Sequence, residues 1–269
     1  MSDTLFPTLY IPHGAGPCFF MDWTLGPANT WDKTEHWLAN IHENLPSKPK
    51  AIVCISAHWE NDAIKINSHP NPALYFDYYG FPSHTYELTY PAPGSPKLAE
   101  SIQTLLAEAG INSELDDEHG FDHGTFVPLK VMFPKADIPV VQISLQRNLD
   151  PTFHIKMGNA LQSLRKQGIL ILGSGISFHN MDILMRGKDT DNHSGTFNQW
   201  LNDACESPVE QRNTALSEWA NAPSARQCHP REEHLLPLMV VAGSAGNDLG
   251  KNVFTDRVMG VTVSAYQFG

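Results

Sequence analysis

Residues 151–172, PTFHIKMGNALQSLRKQGILIL, decide how the rest of this chain is read. Phe153, Met157, Ala160, Leu161 and Leu164 recur at helical spacing, which predicts a helix over about Pro151–Gln167. Gly168 then breaks the pattern, and Ile169–Leu172 is a short apolar, β-branched run that reads as a strand. A helix that hands over to a strand within one residue is the unit of a layered α/β fold.

Working outward, strand-like runs recur at Thr8–Ile11, Ala51–Ser56, Ile138–Leu145 and Val258–Tyr266. Several are continuously apolar rather than alternating, as expected of strands covered on both faces in a mainly parallel sheet. Pro96–Ala109 places Leu98, Ile102, Leu105 and Ala109 on one helical face, with Ser95 as N-cap and Gly110 as terminator. Further helices are expected at about Ser194–Cys205, Val209–Trp219 and Arg231–Ala242. The segment Ser68–Ser95, rich in Pro, Tyr, Phe and Gly, reads as a long ordered loop. Its Tyr75, Phe76, Tyr78, Tyr79 and Phe81 either cover the core or wall a site for a flat substrate. No internal repeat, charge block or flexible linker interrupts the chain. The expectation is one α/β domain over residues 1–269, with a mainly parallel central sheet flanked by helices.

Composition narrows the function. The net charge of −11, with no cluster of Lys or Arg, argues against nucleic acid as a partner. Four cysteines without a CxxC pair fit a reducing cytoplasm. The opening MSDTLFPTLYIP has no basic segment followed by an apolar one, and no apolar stretch approaches the roughly 20 residues that span a bilayer. Neither secretion by that route nor a membrane span is expected. Thirteen histidines stand against eighteen Lys plus Arg, a high ratio that turns attention to imidazole chemistry.

Three of the strands lead into histidines. TLYI runs into Pro12-His13-Gly14, AIVCIS into Ala57-His58-Trp59, and ILIL into Gly173-Ser174-Gly175 and then His179-Asn180. Ligands of open α/β sheets bind in the crevice beyond the carboxyl ends of the strands, so histidines distant in sequence can meet there. Two more segments add imidazoles and carboxylates: Gly120-Phe-Asp-His123-Gly124, in a turn-like stretch before an apolar run, and His229-Pro-Arg-Glu-Glu-His234, expected to open a helix. A single strand-end histidine is best explained as a hydrogen bond to a turn. The whole set points to a shared divalent metal with open positions for water or substrate. The chain has no HExxH, no GxSxG and no GxxxxGK[ST]. Gly173-Ser174-Gly175 lacks the third glycine of a dinucleotide fingerprint.

Taken together, PHGAGP (12–17), ISAHWE (55–60), YGFPSHTYELTYPAPGSPKLA (79–99), GFDHGTFVPLKVMFPKADIPVVQISL (120–145), GSGISFHN (173–180) and HPREEHLLPL (229–238) resemble the class III extradiol ring-cleavage dioxygenases. The resemblance is to their DOPA-dioxygenase-like branch and covers nearly the whole chain. It implies His13, His58 and His234 as metal ligands, with His179 either a fourth ligand or an acid/base group. It also implies His123 and His179 as the catalytic imidazoles. The superfamily's two-histidine, one-carboxylate triad leaves open whether Glu232 or Glu233 replaces or supplements His234.

The resemblance implies Fe(II) for activity, with Zn(II) possible in the isolated protein, and a catechol such as DOPA plus O2 as substrates. The product would be a ring-opened semialdehyde. A zinc hydrolase would use a similar histidine set, and a non-catalytic metal-binding protein that keeps the fold is a third reading.

Overall fold

The computed structural model describes residues 5–269 and builds them around one eight-stranded sheet, ordered β4-β3-β5-β2-β6-β1-β8-β7. The strands are β1 (Thr8–Pro12), β2 (Ala51–Asn61), β3 (Ile64–Asn67), β4 (Ser113–Asp116), β5 (Val140–Gln146), β6 (Ile169–Gly175), β7 (Gly250–Val258) and β8 (Val261–Phe268). The central run β5-β2-β6-β1 is parallel throughout. Its residues are the continuously apolar ones, and those of β6 are all buried. Strand β8 joins β1 antiparallel, and β3 joins β5 antiparallel through a single pairing, Ile66 to Ile143.

The helices are α1 (Asp32–Ala39), α2 (Pro96–Glu108), α3 (His123–Met132), α4 (Pro151–Leu161), α5 (Met181–Arg186), α6 (His193–Glu206), α7 (Val209–Ser217), α8 (Ala225–Cys228) and α9 (Leu236–Ser244). Every residue of α9 is buried, because the helix packs on β6, β1 and β2 and against α4. Gly173 permits that packing: a Cβ there would meet the Pro237 carbonyl oxygen at 2.5 Å. The GxG fragment of β6 thus serves close helix–strand contact.

Four expectations need correction. The strand expected over Val258–Tyr266 is present from Val261 as β8, but as the second arm of a hairpin whose first arm, β7, ends at Val258. The chain reverses at Met259 and Gly260, both at positive φ (46° and 81°), and pairs Val258 with Val261. The helix expected over Arg231–Ala242 starts only at Leu236, with Pro237 in its first turn, where a missing N–H costs nothing. The stretch before it is given over to turns that serve the site described below. The helix from Pro151 is α-helical only to Leu161 and tightens into a 3₁₀ turn over Gln162–Gln167 before Gly168, at φ 81°. There Arg165, 1% exposed, donates to the Phe6, Ser244 and Ala245 carbonyls. Ser95 stands at the N-cap of α2, but its side chain makes no capping bond.

Candidate metal centre

The carboxyl ends of β1, β2 and β6 open on one edge of the sheet, and the histidines gather there. His13 directly follows β1, and its N–H continues the ladder by donating to the Gly175 oxygen at 3.0 Å. His58 is aimed by an irregularity. Pairing of β2 with β5 stops at Ile55–Ile143 and resumes at Glu60–Leu145, so Ser56, Ala57, His58 and Trp59 bulge out of the ladder.

His123 opens α3. The preceding Asp122 caps the helix by accepting from Thr125 N at 3.0 Å, and also accepts from Ser56 Oγ at 2.7 Å and from Gln142 Nε2. Burial and the nearby Asp77 push the Asp122 carboxyl up to about 6. Gly124 lets α3 approach β2, since a Cβ there would meet Ser56 Oγ at 2.6 Å. His234 lies just before α9, and its carbonyl accepts from Tyr10 Oη of β1 at 2.8 Å and from the N–H of Ile176, just past β6, at 3.3 Å.

Two sets of ligand-type atoms form, each within 4.8 Å of one another: His13, His58 and His123, and His179, Glu233 and His234. The sets adjoin. Ring centroids are 4.9 Å apart for His13–His58, 5.3 Å for His13–His234 and 4.8 Å for His58–His234. The His179 ring stacks on His234 at 3.4 Å between centroids. His13 Nε2 and His58 Nε2 face each other at 3.2 Å.

Carboxylates fix the orientation of the other rings. His123 Nδ1–H donates to Asp77 Oδ1 at 2.8 Å, leaving Nε2 free. Glu233 Oε1 lies 2.9 Å from His234 Nδ1 and 3.1 Å from His179 Nδ1. Arg231 is 3.3 Å from Glu233 Oε2 and grips Glu60 through two bonds of 2.6 Å. Burial raises the Glu233 carboxyl, but the His179 bond and the Arg231 charge more than offset it, so the group stays below its ordinary value. Burial, and then neighbouring imidazoles, press His13, His58 and His234 well below the usual histidine range. They are neutral at pH 7, the form that ligates metals.

The comparisons agree on one lineage. The family described as the catalytic LigB subunit of aromatic ring-opening dioxygenase matches residues 7–268. The chain belongs to that family. A 4,5-DOPA dioxygenase extradiol of Beta vulgaris is 39% identical over 91% of this chain and 89% of its own length. The protein of the same name from Escherichia coli K12 is 34% identical over 91% and 87%. "Dioxygenase tasH" of Hapsidospora irregularis is 36% identical over 98% and 86%. A crystal structure of an uncharacterized protein from Escherichia coli K12 superposes with a TM-score of 0.74 at 30% identity, covering 98% of this chain and all of that one. This protein is an extradiol ring-opening dioxygenase of the DOPA-dioxygenase-like branch.

Within the dioxygenase, the residues expected from the sequence divide. His13, His58, His123, His179 and His234 all line one cavity of about 240 Å³. His229 does not join them. It is fully buried, contacts the Ser177 oxygen at 2.9 Å and packs edge-on to Trp219. Glu232 turns away to Arg226 at 2.6 Å, whereas Glu233 stands behind two imidazoles. Of the loop aromatics only Phe81 lines the cavity. Tyr78 packs edge-on against His123, Tyr75 tilts over His119, and Tyr79 is 91% exposed. Sequence reasoning passed over Asp77 entirely; its only local signal is a carboxylate inside a loop otherwise rich in aromatics and prolines. No helix among the described residues is long and apolar enough to cross a membrane.

Proposed function

We propose that this dioxygenase uses Fe(II), held by His13, His58 and His234, to open a catechol ring with O2 and release a semialdehyde. The observation that carries the proposal is the pair of neutral imidazoles whose Nε2 atoms lie 3.2 Å apart. Two nitrogens bound to one ion at about 2.0–2.1 Å must sit about 3.0–3.4 Å from each other, so the donors fit a metal. The tether of His234 Nδ1 to Glu233 leaves its Nε2 as the third donor, and the imidazole-rich set suits iron or zinc equally in chemical type. When bound, Fe(II) supplies the positive charge that acidifies the catechol hydroxyls and the electrons that let O2 react with the ring.

The chain's own part is to hold and move protons in a dry place. With Nδ1–H committed to Asp77, His123 presents Nε2 as the base that takes a hydroxyl proton and returns it during ring opening. His179, with Nδ1 at Glu233, offers a second ring, stacked on His234. Both oxygen atoms of O2 enter the product. The carbon–carbon bond next to the diol breaks, one carbon ending as aldehyde and the other as carboxylate, so no further reductant is needed.

Reconstitution with Fe(II) under anaerobic conditions, followed by catechols and ¹⁸O2, tests this. One O2 consumed per ring opened, a yellow product and two labelled oxygens are expected. Oxygen-independent ester or amide hydrolysis by the zinc-loaded protein would replace the proposal with a hydrolase.

A further inference from the structure

We propose that the ring opened by this enzyme carries an uncharged, apolar substituent, which leaves the cavity past Met181 and Met185. The inference rests on the ring-opening function above and concerns which catechols are taken. The cavity over the histidines has no Lys, Arg, Asp or Glu in its lining; beyond the imidazoles it is walled by Trp23, Trp31, Phe81, Ile176 and Leu184. Its volume of about 240 Å³ is below the usual range of about 300–1,000 Å³ for ligand pockets and suits a single ring with a modest appendage.

The rim continues the same chemistry outward. Leu25, Met181 and Met185 line the cavity yet are 51%, 52% and 59% exposed, so large apolar side chains meet water where the cavity opens. Met181 and Met185 are four residues apart on α5 and share one face of it. Flexible, polarizable methionines adapt to apolar groups of varied shape.

The amino-acid tail of DOPA, leaving by the same path, would lie along this apolar rim with no ionic partner, at a cost for whatever part of its charges the rim takes out of water. Charged side chains do occur next door, in a groove carrying Asp32, Lys33, Asp256 and Arg257, but Leu25 and Met259 line both spaces and stand between them. Lys33 in that groove already faces Asp256 at 3.8 Å.

The test is kcat/KM of the Fe(II)-loaded enzyme for 4-propylcatechol against DOPA, with anaerobic calorimetric binding of both. The expected preference for 4-propylcatechol is about 10–200-fold, the range that one apolar group in a hydrophobic pocket supplies. Met185→Arg, at an exposed position that tolerates charge, should shrink that preference by at least about tenfold, with the change carried by KM and by the anaerobic Kd. Arg257→Ala should leave both substrates unchanged. A preference for DOPA that Arg257→Ala removes would overturn the inference and make the charged groove the specificity site, while leaving ring opening intact. Failure of every catechol to consume O2 would instead overturn the function on which the inference rests.

Discussion

Two imidazole sets share the floor of one cavity, and they are held by different means. His13 and His58 are placed by the main chain: one ends a buried parallel strand, the other sits on a bulge of its neighbour. His123 joins them from the first residue of a capped helix. His179 and His234 instead lie in connecting segments, and both rings are oriented through one carboxylate, Glu233. That carboxylate is backed by Arg231, whose other partner, Glu60, lies on β2 two residues beyond His58. The strand-borne half is therefore fixed by sheet geometry, and the loop-borne half takes its order from side chains anchored to it. Substitutions at the two halves should fail differently.

The largest effect is expected where the main chain presents a donor. His58→Ala should remove the Nε2 that faces His13, abolish stoichiometric metal and lower kcat/KM by more than about 10³-fold, while the sheet survives because His58 lies outside the β2–β5 ladder. Metal content by elemental analysis and the far-ultraviolet spectrum would check both halves of that statement. Full metal occupancy in the variant would sink the assignment of His58.

His123→Gln probes the ring that geometry groups with the strand pair but that the proposed mechanism uses as a base. Retained metal with turnover reduced by about 10²–10⁴-fold is the expected outcome. Metal loss as severe as in His58→Ala would move His123 into the ligand set.

These contrasts also mark what could be read from the sequence. The strand-borne half was legible because TLYI and AIVCIS are continuously apolar and stop at a histidine, so element and function coincide in a few adjacent residues. The carboxylates behind the rings were not. Asp77 reaches His123 across 46 positions, and whether Glu233 faces the metal, the solvent or a ring depends on turns that the run Arg231–Leu235 conceals by resembling a helix start. Edge strand β4 escaped for another reason: with a largely exposed SELD sequence it has no apolar pattern and exists only by pairing with β3. Helix α3 was hidden by Gly124 and Pro128 and by burial on nearly all sides, which erases the amphipathic period.

Glu233→Gln tests the loop-borne half. A neutral amide keeps the size but weakens the hold on two Nδ1–H groups and loses the ion pair with Arg231, which stays on Glu60, so metal affinity should fall about 10–100-fold, measured by competition with a chromophoric chelator. An unchanged affinity would mean that His234 is positioned by the ties of its carbonyl to Tyr10 and Ile176 without help from Glu233.

The smallest effect comes from a histidine that resembles the strand-end donors and differs in its commitments. His154 lies near the end of β5, fully buried, but both its nitrogens are engaged by backbone: Nδ1 donates to the Asp150 oxygen at 2.7 Å, and Nε2 accepts from Gln146 N at 3.1 Å. It has no lone pair left for an ion. Burial pushes its pKa down to about 4, against about 6.5 in an unfolded chain. Between those values the unfolded state binds the extra proton, so stability present above about pH 6.5 is lost as the pH falls toward 4. At about 1.4 kcal/mol per unit, the loss attributable to this ring is about 2–4 kcal/mol. His229, also pushed down to about 4, adds to the slope in the same direction. His154→Gln should lower stability at pH 7 and flatten, without abolishing, the fall between pH 6.5 and 4, as read from urea midpoints. An undiminished slope would show that His154 takes up its proton inside the folded protein and contributes nothing to the acid loss of stability.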